Sequence, residues 1–180
     1  LQVIEEEADR LTDLIENLLE ANRLQMNGVQ LKKADVNFYQ LVDRLAKRFQ
    51  VQSAAHQPII ALLKAYPIIM ADETRIEQVL SNLISNAIKY APSGEIRISG
   101  QTLPDQVVIC VIDAGPGIAT GDLPHIFDRF YRAQDTSRKT QGAGLGLYLA
   151  RATIEAHGGR MWADAKTYTG ARVCFSLPRD

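Results

Sequence analysis

The chain has 180 residues, of which 46% are hydrophobic and 23% are charged, and its formal net charge at pH 7 is -1. This composition is typical of a globular domain with a substantial core, and the absence of any block of like charge does not favour a nucleic-acid-binding surface. No apolar run in the sequence reaches the roughly 20 residues that a membrane-spanning helix requires. Because the sequence starts at Leu1 rather than at methionine, we expect a piece of a longer protein and leave a membrane segment upstream open.

The first 26 residues predict one amphipathic helix. Apolar side chains recur at three- to four-residue steps from Ile4 to Leu18, and Asn27-Gly28 gives a stop signal. The apolar face of such a helix needs a cover, which either the following domain or partner helices would supply.

The rest of the chain has mixed helix and strand patterns. Asp72 is a suitable N-cap, Pro92 ends a helix, and the run VVICVI is typical of a central strand buried on both sides. The predicted helices cover about residues 38–54, 73–90 and 144–156, and strands are expected before residue 38 and near 57–63, 68–70, 95–100, 107–112, 160–165 and 171–178. This order predicts an α+β fold, with an antiparallel-leaning sheet covered by helices on one face.

The cysteines and histidines do not predict a metal site. Cys110 and Cys174 lie in apolar strand-like runs, and we predict two buried thiols rather than a disulfide or a metal-binding pair. His56, His125 and His157 have no ligand spacing with each other or with the cysteines.

A segment of about 30 residues, from about 114 to 143, has no regular pattern and is unusually long for a loop. Its glycine-rich ends and polar middle, AQDTSRKTQ, favour a mobile lid. At its far end Gly142, Gly144 and Gly146 precede an apolar helix, with a spacing that fits neither the dinucleotide-binding motif nor the P-loop. These glycines either bring backbone N–H groups to a phosphate or form a lid hinge, and the residues alone leave both open.

Two further motifs carry candidate polar chemistry. Asn82, Asn86 and Lys89 share one face of the predicted helix, where they form either a metal-and-phosphate surface or an ordinary solvated face. Asp113 ends the central strand just before Gly115 and Gly117, so it is either an acceptor for an adenine amine or a turn residue.

The stretch IFDRFYR, residues 126–132, lies inside the long loop. Its aromatic residues Phe127, Phe130 and Tyr131 favour a small hydrophobic cluster beneath the loop. Arg129 and Arg132 are candidates to face phosphates, although neither is assigned by the pattern alone.

Taken in order, these four segments resemble the N, G1, F and G2 boxes of the ATP-binding domain of sensor histidine kinases. The wider group includes gyrase B, Hsp90 and the mismatch-repair ATPases. The resemblance covers nearly the whole chain: residues 1–27 look like the second helix of the dimerisation and phosphotransfer domain, and residues 28–180 look like the catalytic ATP-binding domain. It implies a two-layer α/β sandwich, the Bergerat fold, preceded by one long helix.

The resemblance also implies ATP and Mg²⁺ as ligands. Asn86 would hold Mg²⁺ against the phosphates with Asn82 nearby, and Lys89 would approach the phosphates. Asp113 would accept a hydrogen bond from the adenine N6 amine, and Arg132 would lie at the phosphate end of the lid. Asn82, Asn86, Lys89 and Arg132 form the expected catalytic set, and the other residues expected to contact nucleotide are Tyr90, Gly115, Gly117, Ile118, Phe127, Phe130, Gly142, Gly144, Leu145 and Gly146.

One position separates transfer from hydrolysis within this group. The ATPase relatives carry a glutamate four residues before the metal-binding asparagine, where this chain has Asn82. An amide cannot act as a general base near neutral pH, so the sequence favours phosphoryl transfer over efficient hydrolysis. The implied activity is that of a protein histidine kinase, which passes the γ-phosphoryl group to a histidine for relay to a response regulator aspartate.

The chain also departs from the family pattern. The phosphoacceptor motif, His followed by Glu or Asp and then Arg-Thr-Pro, does not occur, nor does the first helix of the dimerisation pair. We therefore expect phosphorylation of a helix supplied in trans, with a response regulator and the dimerisation helices as partners, no nucleic acid, and a cytoplasmic location for the catalytic portion. The alternatives are a nucleotide-sensing interaction module, which the complete set of boxes argues against, and an anti-sigma-type serine kinase, which the N-terminal helix argues against.

Overall fold

The computed structural model describes residues 30–62, 64–133, 143–164 and 170–179, together with helical positions 12, 15, 17–19, 21 and 22. The polar middle of the expected lid and Gly142 lie outside the described residues. The remaining positions of the predicted N-terminal helix lie outside them as well.

After residue 30, the part of the chain that the structure describes forms three helices and seven strands. Their positions are close to those that the sequence patterns predict. In chain order they are β1 (Ala34–Asn37), α1 (Phe38–Gln52), β2 (His56–Ala61), β3 (Ile68–Ala71), α2 (Glu73–Tyr90), β4 (Gly94–Thr102), β5 (Gln106–Ile112), α3 (Gly146–Ala156), β6 (Arg160–Asp164) and β7 (Arg172–Pro178). The predicted bounds of α2 are confirmed at both ends.

The strands form a five-stranded sheet and a separate two-stranded ribbon. The larger sheet has the order β2-β4-β5-β7-β6, in which β2 and β4 are parallel and the other pairs are antiparallel. Strands β1 and β3 pair antiparallel beside it. Alternate residues of the central strand, Val107, Ile109 and Val111, pack into one core with the buried faces of the helices. The predicted α+β class, with a mostly antiparallel sheet, is confirmed.

Helix α2 is fixed at its start by Asp72. One carboxylate oxygen of Asp72 accepts the backbone N–H of Arg75 at 3.2 Å, and the other accepts that of Lys32 at 2.9 Å. The predicted N-cap is therefore confirmed, and such a cap stabilises a helix by about 1 kcal/mol.

The buried side chain of His157 joins the start of α2 to the end of α3. Its Nε2 accepts the backbone N–H of Asp72 at 3.0 Å, which makes Nδ1 the protonated nitrogen that donates to the Thr153 carbonyl at 2.8 Å. Burial lowers the pKa of His157, while the hydrogen bond to Thr153 opposes that shift. The neutral ring is thus the form that holds the two helices together.

The expectation of two free thiols is wrong, because Cys110 and Cys174 form a disulfide. The antiparallel register of β5 and β7 places these two residues directly opposite each other, with their Cα atoms 4.1 Å apart. Both side chains are buried as predicted, but cross-strand partners point to the same face of a sheet, which brings the two sulfur atoms together.

The N-terminal helical residues are only partly covered by the following domain. Ala21 is fully buried against Leu145 and Leu149, whereas Ile15, Leu18 and Leu19 are 58%, 40% and 50% exposed. Within the described residues, no helix is both long enough and apolar enough to cross a membrane.

Candidate functional site

A cavity of about 500 Å³ opens between α2, the central strands and the segment that follows β5. Its walls combine apolar side chains with a few polar groups, as is usual for small-molecule sites. The lining residues are Leu83, Asn86, Ala87, Tyr90, Val111, Asp113, Pro116, Gly117, Ile118, Ala119, Thr120, Asp122, Ile126, Tyr131, Arg132, Ala133, Leu147, Ala171 and Val173.

The Asp113 carboxylate is held at the point where the central strand ends. Its Oδ1 accepts two backbone N–H groups, from Gly115 at 2.8 Å and from Ala171 at 3.1 Å. The backbone N–H of Asp113 in turn donates to the Ala171 carbonyl at 3.1 Å. Because both hydrogen bonds to the carboxylate use Oδ1, the Oδ2 atom is the one left to meet a ligand in the cavity.

Gly170 makes this arrangement possible. Its φ of 93° lies in the left-handed region that favours glycine, and a Cβ atom there would overlap the carbonyl of Asp113. No side chain can therefore replace Gly170 without moving β7 away from Asp113. Sequence reasoning missed this residue, because the close approach of the two backbones comes from tertiary structure.

The polar face predicted for α2 divides between two environments. Asn86 lines the cavity, whereas the Lys89 ammonium group lies 5.2 Å from the ring centre of Tyr90. The Asn82 amide lies against the first residue of α3, where a Cβ on Gly146 would collide with its oxygen and nitrogen. Asn82 and Gly146 thus allow α2 and α3 to approach closely beside the cavity.

The two stems of the expected lid meet at a backbone contact. The N–H of Phe130 donates to the carbonyl of Gly144 at 2.9 Å, and a Cβ on Gly144 would lie 2.6 Å from the carbonyl oxygen of Tyr131. Both Phe130 and Gly144 have left-handed backbones, with φ of 66° and 69°. This conformation is costly for phenylalanine, so the base of the lid is held in a specific geometry.

The aromatic residues of the loop have different positions. Phe127 is buried in the main core and Phe130 is 51% exposed. The predicted hydrophobic cluster of these aromatic residues beneath the loop therefore does not form. Tyr131 lines the cavity, as does Arg132. The Arg129 guanidinium lies 4.8 Å from the Phe130 ring centre and donates to the Asn22 amide oxygen at 3.0 Å.

The structure brings some of the expected nucleotide-site residues to the cavity and places others beside it. The expected residues that line the cavity are Asn86, Tyr90, Asp113, Gly117, Ile118 and Arg132. The expected residues that the structure describes outside this lining are Asn82, Lys89, Gly115, Phe127, Phe130, Gly144, Leu145 and Gly146. Lining residues such as Leu83 and Ala87 were visible in the sequence only as part of an apolar helix face.

Comparison with known proteins now defines the family. Residues 71–180 match the family described as histidine kinase-, DNA gyrase B- and HSP90-like ATPases. The chain belongs to this family. Over 99% of its length it is 33% identical to the sensor histidine kinase WalK of Bacillus subtilis, of which it spans only 30%. The resemblance to sensor histidine kinases is therefore confirmed.

Solved structures agree with this assignment. The full-length protein ShkA in complex with AMPPNP covers 98% of the chain with a TM-score of 0.87 and 28% identity, and the chain covers 37% of that protein. The histidine kinase ThkA in complex with the response regulator TrrA covers 99% of the chain with a TM-score of 0.78 and 26% identity, and the chain covers 50% of it.

Proposed function

We propose that the chain binds Mg-ATP in this cavity and transfers the γ-phosphoryl group to a histidine on a dimerisation helix, for relay to an aspartate of a response regulator. The observation that carries this proposal is the Asp113 carboxylate, held by two backbone donors at one end of a mostly apolar cavity. The family and the sensor kinase relatives support the same activity.

Asp113 would recognise the adenine ring. The adenine N6 amine is a hydrogen-bond donor, and Oδ2 of Asp113 is an acceptor whose direction is set by the two bonds to Oδ1. A volume of about 500 Å³ lies within the range of ligand cavities, and its apolar walls, such as Val111 and Ile118, would pack against the faces of a purine.

Asn86 would hold Mg²⁺. Mg²⁺ is commonly bound by one or two protein oxygen atoms together with substrate phosphates and water. The Asn86 amide in the cavity wall fits that requirement, and the described residues contain no cluster of three or more His, Cys, Asp or Glu side chains that would form a separate metal site. The bound ion would neutralise phosphate charge, while Lys89 and Arg132 would add positive charge at the same end.

Transfer to a protein acceptor is favoured over hydrolysis. The described lining has two carboxylates, of which Asp113 is held by backbone donors and Asp122 accepts a hydrogen bond from Tyr131. Asn82 carries an amide, which is not a general base. The transfer would break the bond between the γ-phosphorus and its bridging oxygen, form a phosphorus–nitrogen bond to imidazole, and release ADP.

The acceptor would come from another helix. His56 and His157 are buried, and His56 Nε2 donates to the Ala91 carbonyl at 3.1 Å, so neither is presented to a phosphate. His125 is exposed but does not lie in a phosphoacceptor motif. The exposed side chains of Ile15, Leu18 and Leu19 fit a helix that packs against dimerisation partners. We place this activity in the cytoplasm, with a response regulator as the downstream partner.

The test is a labelling assay with Mg-ATP carrying a radioactive γ-phosphate. We expect no stable label on the chain alone and acid-labile label on an added helical hairpin that contains the phosphoacceptor motif. The Asn86→Ala variant serves as the control and should label the hairpin much less. Acid-labile phosphohistidine on the chain alone, or release of inorganic phosphate without any label on the hairpin, would contradict the proposal.

A further inference from the structure

The segment between β5 and the lid is folded into consecutive turns that end at a tyrosine–aspartate contact. The hydroxyl of Tyr131 donates to Oδ1 of Asp122 at 2.7 Å, which joins two residues that are nine positions apart in the chain. Both side chains line the cavity, together with Arg132. The acceptor is a carboxylate oxygen, and hydrogen bonds to ionised acceptors are stronger than those between neutral groups.

The residues inside this loop hold its shape. The backbone carbonyl of Asp122 accepts the N–H groups of His125 at 2.8 Å and Ile126 at 3.0 Å, and the N–H of Tyr131 donates to the Asp128 carbonyl at 3.2 Å. The His125 ring lies 5.5 Å from the Tyr131 ring, centre to centre, and its Nδ1 is 2.9 Å from an Asp128 carboxylate oxygen. The hydrogen bond with Asp122 also raises the pKa of Tyr131.

Tyr131 lies where this loop meets the base of the lid. The residue before it, Phe130, donates to Gly144 across the two lid stems. The residue after it, Arg132, is the cationic residue among the described residues that line the cavity. Tyr131 is held by hydrogen bonds from both its backbone N–H and its hydroxyl. It therefore sets the direction of the backbone at Arg132.

We propose that the hydrogen bond between Tyr131 and Asp122 positions Arg132 toward the phosphates of the bound nucleotide. Tyr131 and Asp122 are then positioning residues, which act through Arg132 and not through contact with the adenine ring. The inference rests on the proposed function, because it takes the Arg132 side of the cavity as the phosphate side. It predicts that loss of the bond weakens binding of nucleotides that carry phosphates and leaves adenosine binding unchanged.

The primary test compares Tyr131→Phe with the unmodified 180-residue chain, with ATP and adenosine as ligands in titration calorimetry or competition assays. The variant keeps the ring and loses only the hydroxyl. We expect the Kd for ATP to rise about 5- to 10-fold, as expected for one lost hydrogen bond, while the Kd for adenosine stays the same. If Tyr131 had a purely structural role, the variant would bind ATP and adenosine more weakly by the same factor.

Tyr66→Phe is the matched control. Tyr66 also donates from a hydroxyl, to the Val108 carbonyl at 3.1 Å, but it lies outside the cavity lining. This variant should lower thermal stability without changing the ratio of the two dissociation constants. Any loss of stability in the Tyr131 variant can be compared with it directly.

A second pair of variants tests the bond itself. Asp122→Asn keeps an oxygen acceptor for the tyrosine hydroxyl and should retain most of the ATP affinity, whereas Asp122→Ala removes the acceptor. Asp122→Ala should reduce ATP affinity less when it is added to Tyr131→Phe than when it is made alone. The reason is that the Tyr131 variant has already lost the hydrogen bond.

The outcomes separate this inference from the proposed function. If the unmodified chain binds no ATP, the proposed function fails first. If it binds ATP and Tyr131→Phe binds ATP equally well, or loses ATP and adenosine equally, the inference is overturned and the proposed function remains.

Discussion

At the Asp113 end of the cavity the chain fixes one carboxylate with two backbone N–H groups and a glycine that admits no side chain. At the Arg132 end the corresponding contacts are a tyrosine–aspartate hydrogen bond and a single backbone bond between the lid stems, from Phe130 to Gly144. The first set lies at the ends of two strands of the central sheet, just after β5 and just before β7. The second is made by turns outside that sheet.

This difference has a consequence for binding. Under the proposed function, the acceptor for the base is oriented by the fold itself before a ligand arrives. The phosphates would be placed by loop contacts, which can be removed without disturbing the sheet. Substitutions at the Asp113 end should therefore affect every adenine ligand, and those at the Arg132 end should affect only ligands with phosphates.

The largest effect is expected for Gly170→Ala. The variant places a methyl group into the Asp113 carbonyl and forces alanine into a left-handed backbone, at a combined cost of about 3 kcal/mol. Urea denaturation should report this loss, and adenosine and ATP should both bind more weakly. Gly121→Ala is the control, because a Cβ at Gly121 meets no heavy atom within 4 Å. Equal stability of the two variants would show that β7 is not held against Asp113.

A smaller and more selective effect is expected for Asn86→Ala. Because Asn86 is the proposed metal ligand, the variant should lose about tenfold in ATP affinity with Mg²⁺ present, the size of loss seen when support for a metal site is removed. Binding in the presence of a chelator should change little. Calorimetric titrations with and without Mg²⁺ measure both affinities. An equal loss of ATP affinity in the two conditions would show that Asn86 is not a metal ligand.

The stability of the domain that carries both ends of the cavity should depend on pH through His157. Its folded-state pKa is lowered by burial, so the unfolded chain binds the proton more readily and stability falls as the pH drops below about 6.5. Between pH 7.5 and 5.5 we therefore expect this residue to lower the free energy of unfolding. The groups that face the ring are the Asp72 backbone, the Thr153 carbonyl and the charges of Lys33 and Asp72.

The His157→Gln variant isolates this contribution, because glutamine does not titrate. Urea midpoints of both proteins across the same pH range give the difference. If the variant loses as much stability on acidification as the unmodified chain, other groups carry the effect.

The smallest effect is expected away from both ends, at the ion pairs between α1 and α2. The Arg44 guanidinium lies 2.8 Å from Glu73 and 3.0 Å from Glu77, and these hydrogen bonds raise the pKa of Arg44. All three side chains are solvent-accessible, so Arg44→Ala should cost no more than about 0.5 to 1 kcal/mol in thermal unfolding. Its ATP and adenosine affinities should be unchanged, and a change in either would link the outer helix surface to the cavity.

Much of the fold could be predicted because it depends on local signals. The bounds of α2 follow from the Asp72 cap, an apolar face at helical spacing, and Pro92 beyond its end. The strand VVICVI was recognisable as central because it is apolar at consecutive positions.

The features that the sequence could not predict depend on strand register and on the close approach of two backbone segments. The disulfide requires Cys110 to face Cys174 across two strands that are far apart in the chain, and one residue of slippage would separate them. Gly170 carried no sequence signal, because its role depends on how closely the chain before β7 approaches Asp113. Tyr131 was recognised as an aromatic packing residue, but its partner Asp122 lies in a loop with no periodic pattern.

The most direct test of the adenine assignment compares ATP with inosine triphosphate, using the unmodified chain and Asp113→Asn. Inosine has a carbonyl acceptor where adenine has the N6 amine, so the Asp113 carboxylate should favour ATP. In the variant, the asparagine oxygen would keep the two backbone donors and turn its amide N–H₂ toward the base. Calorimetry should then show ATP affinity reduced by about 1 to 3 kcal/mol and the preference for ATP lost or reversed. An unchanged ratio of the two affinities would contradict the account.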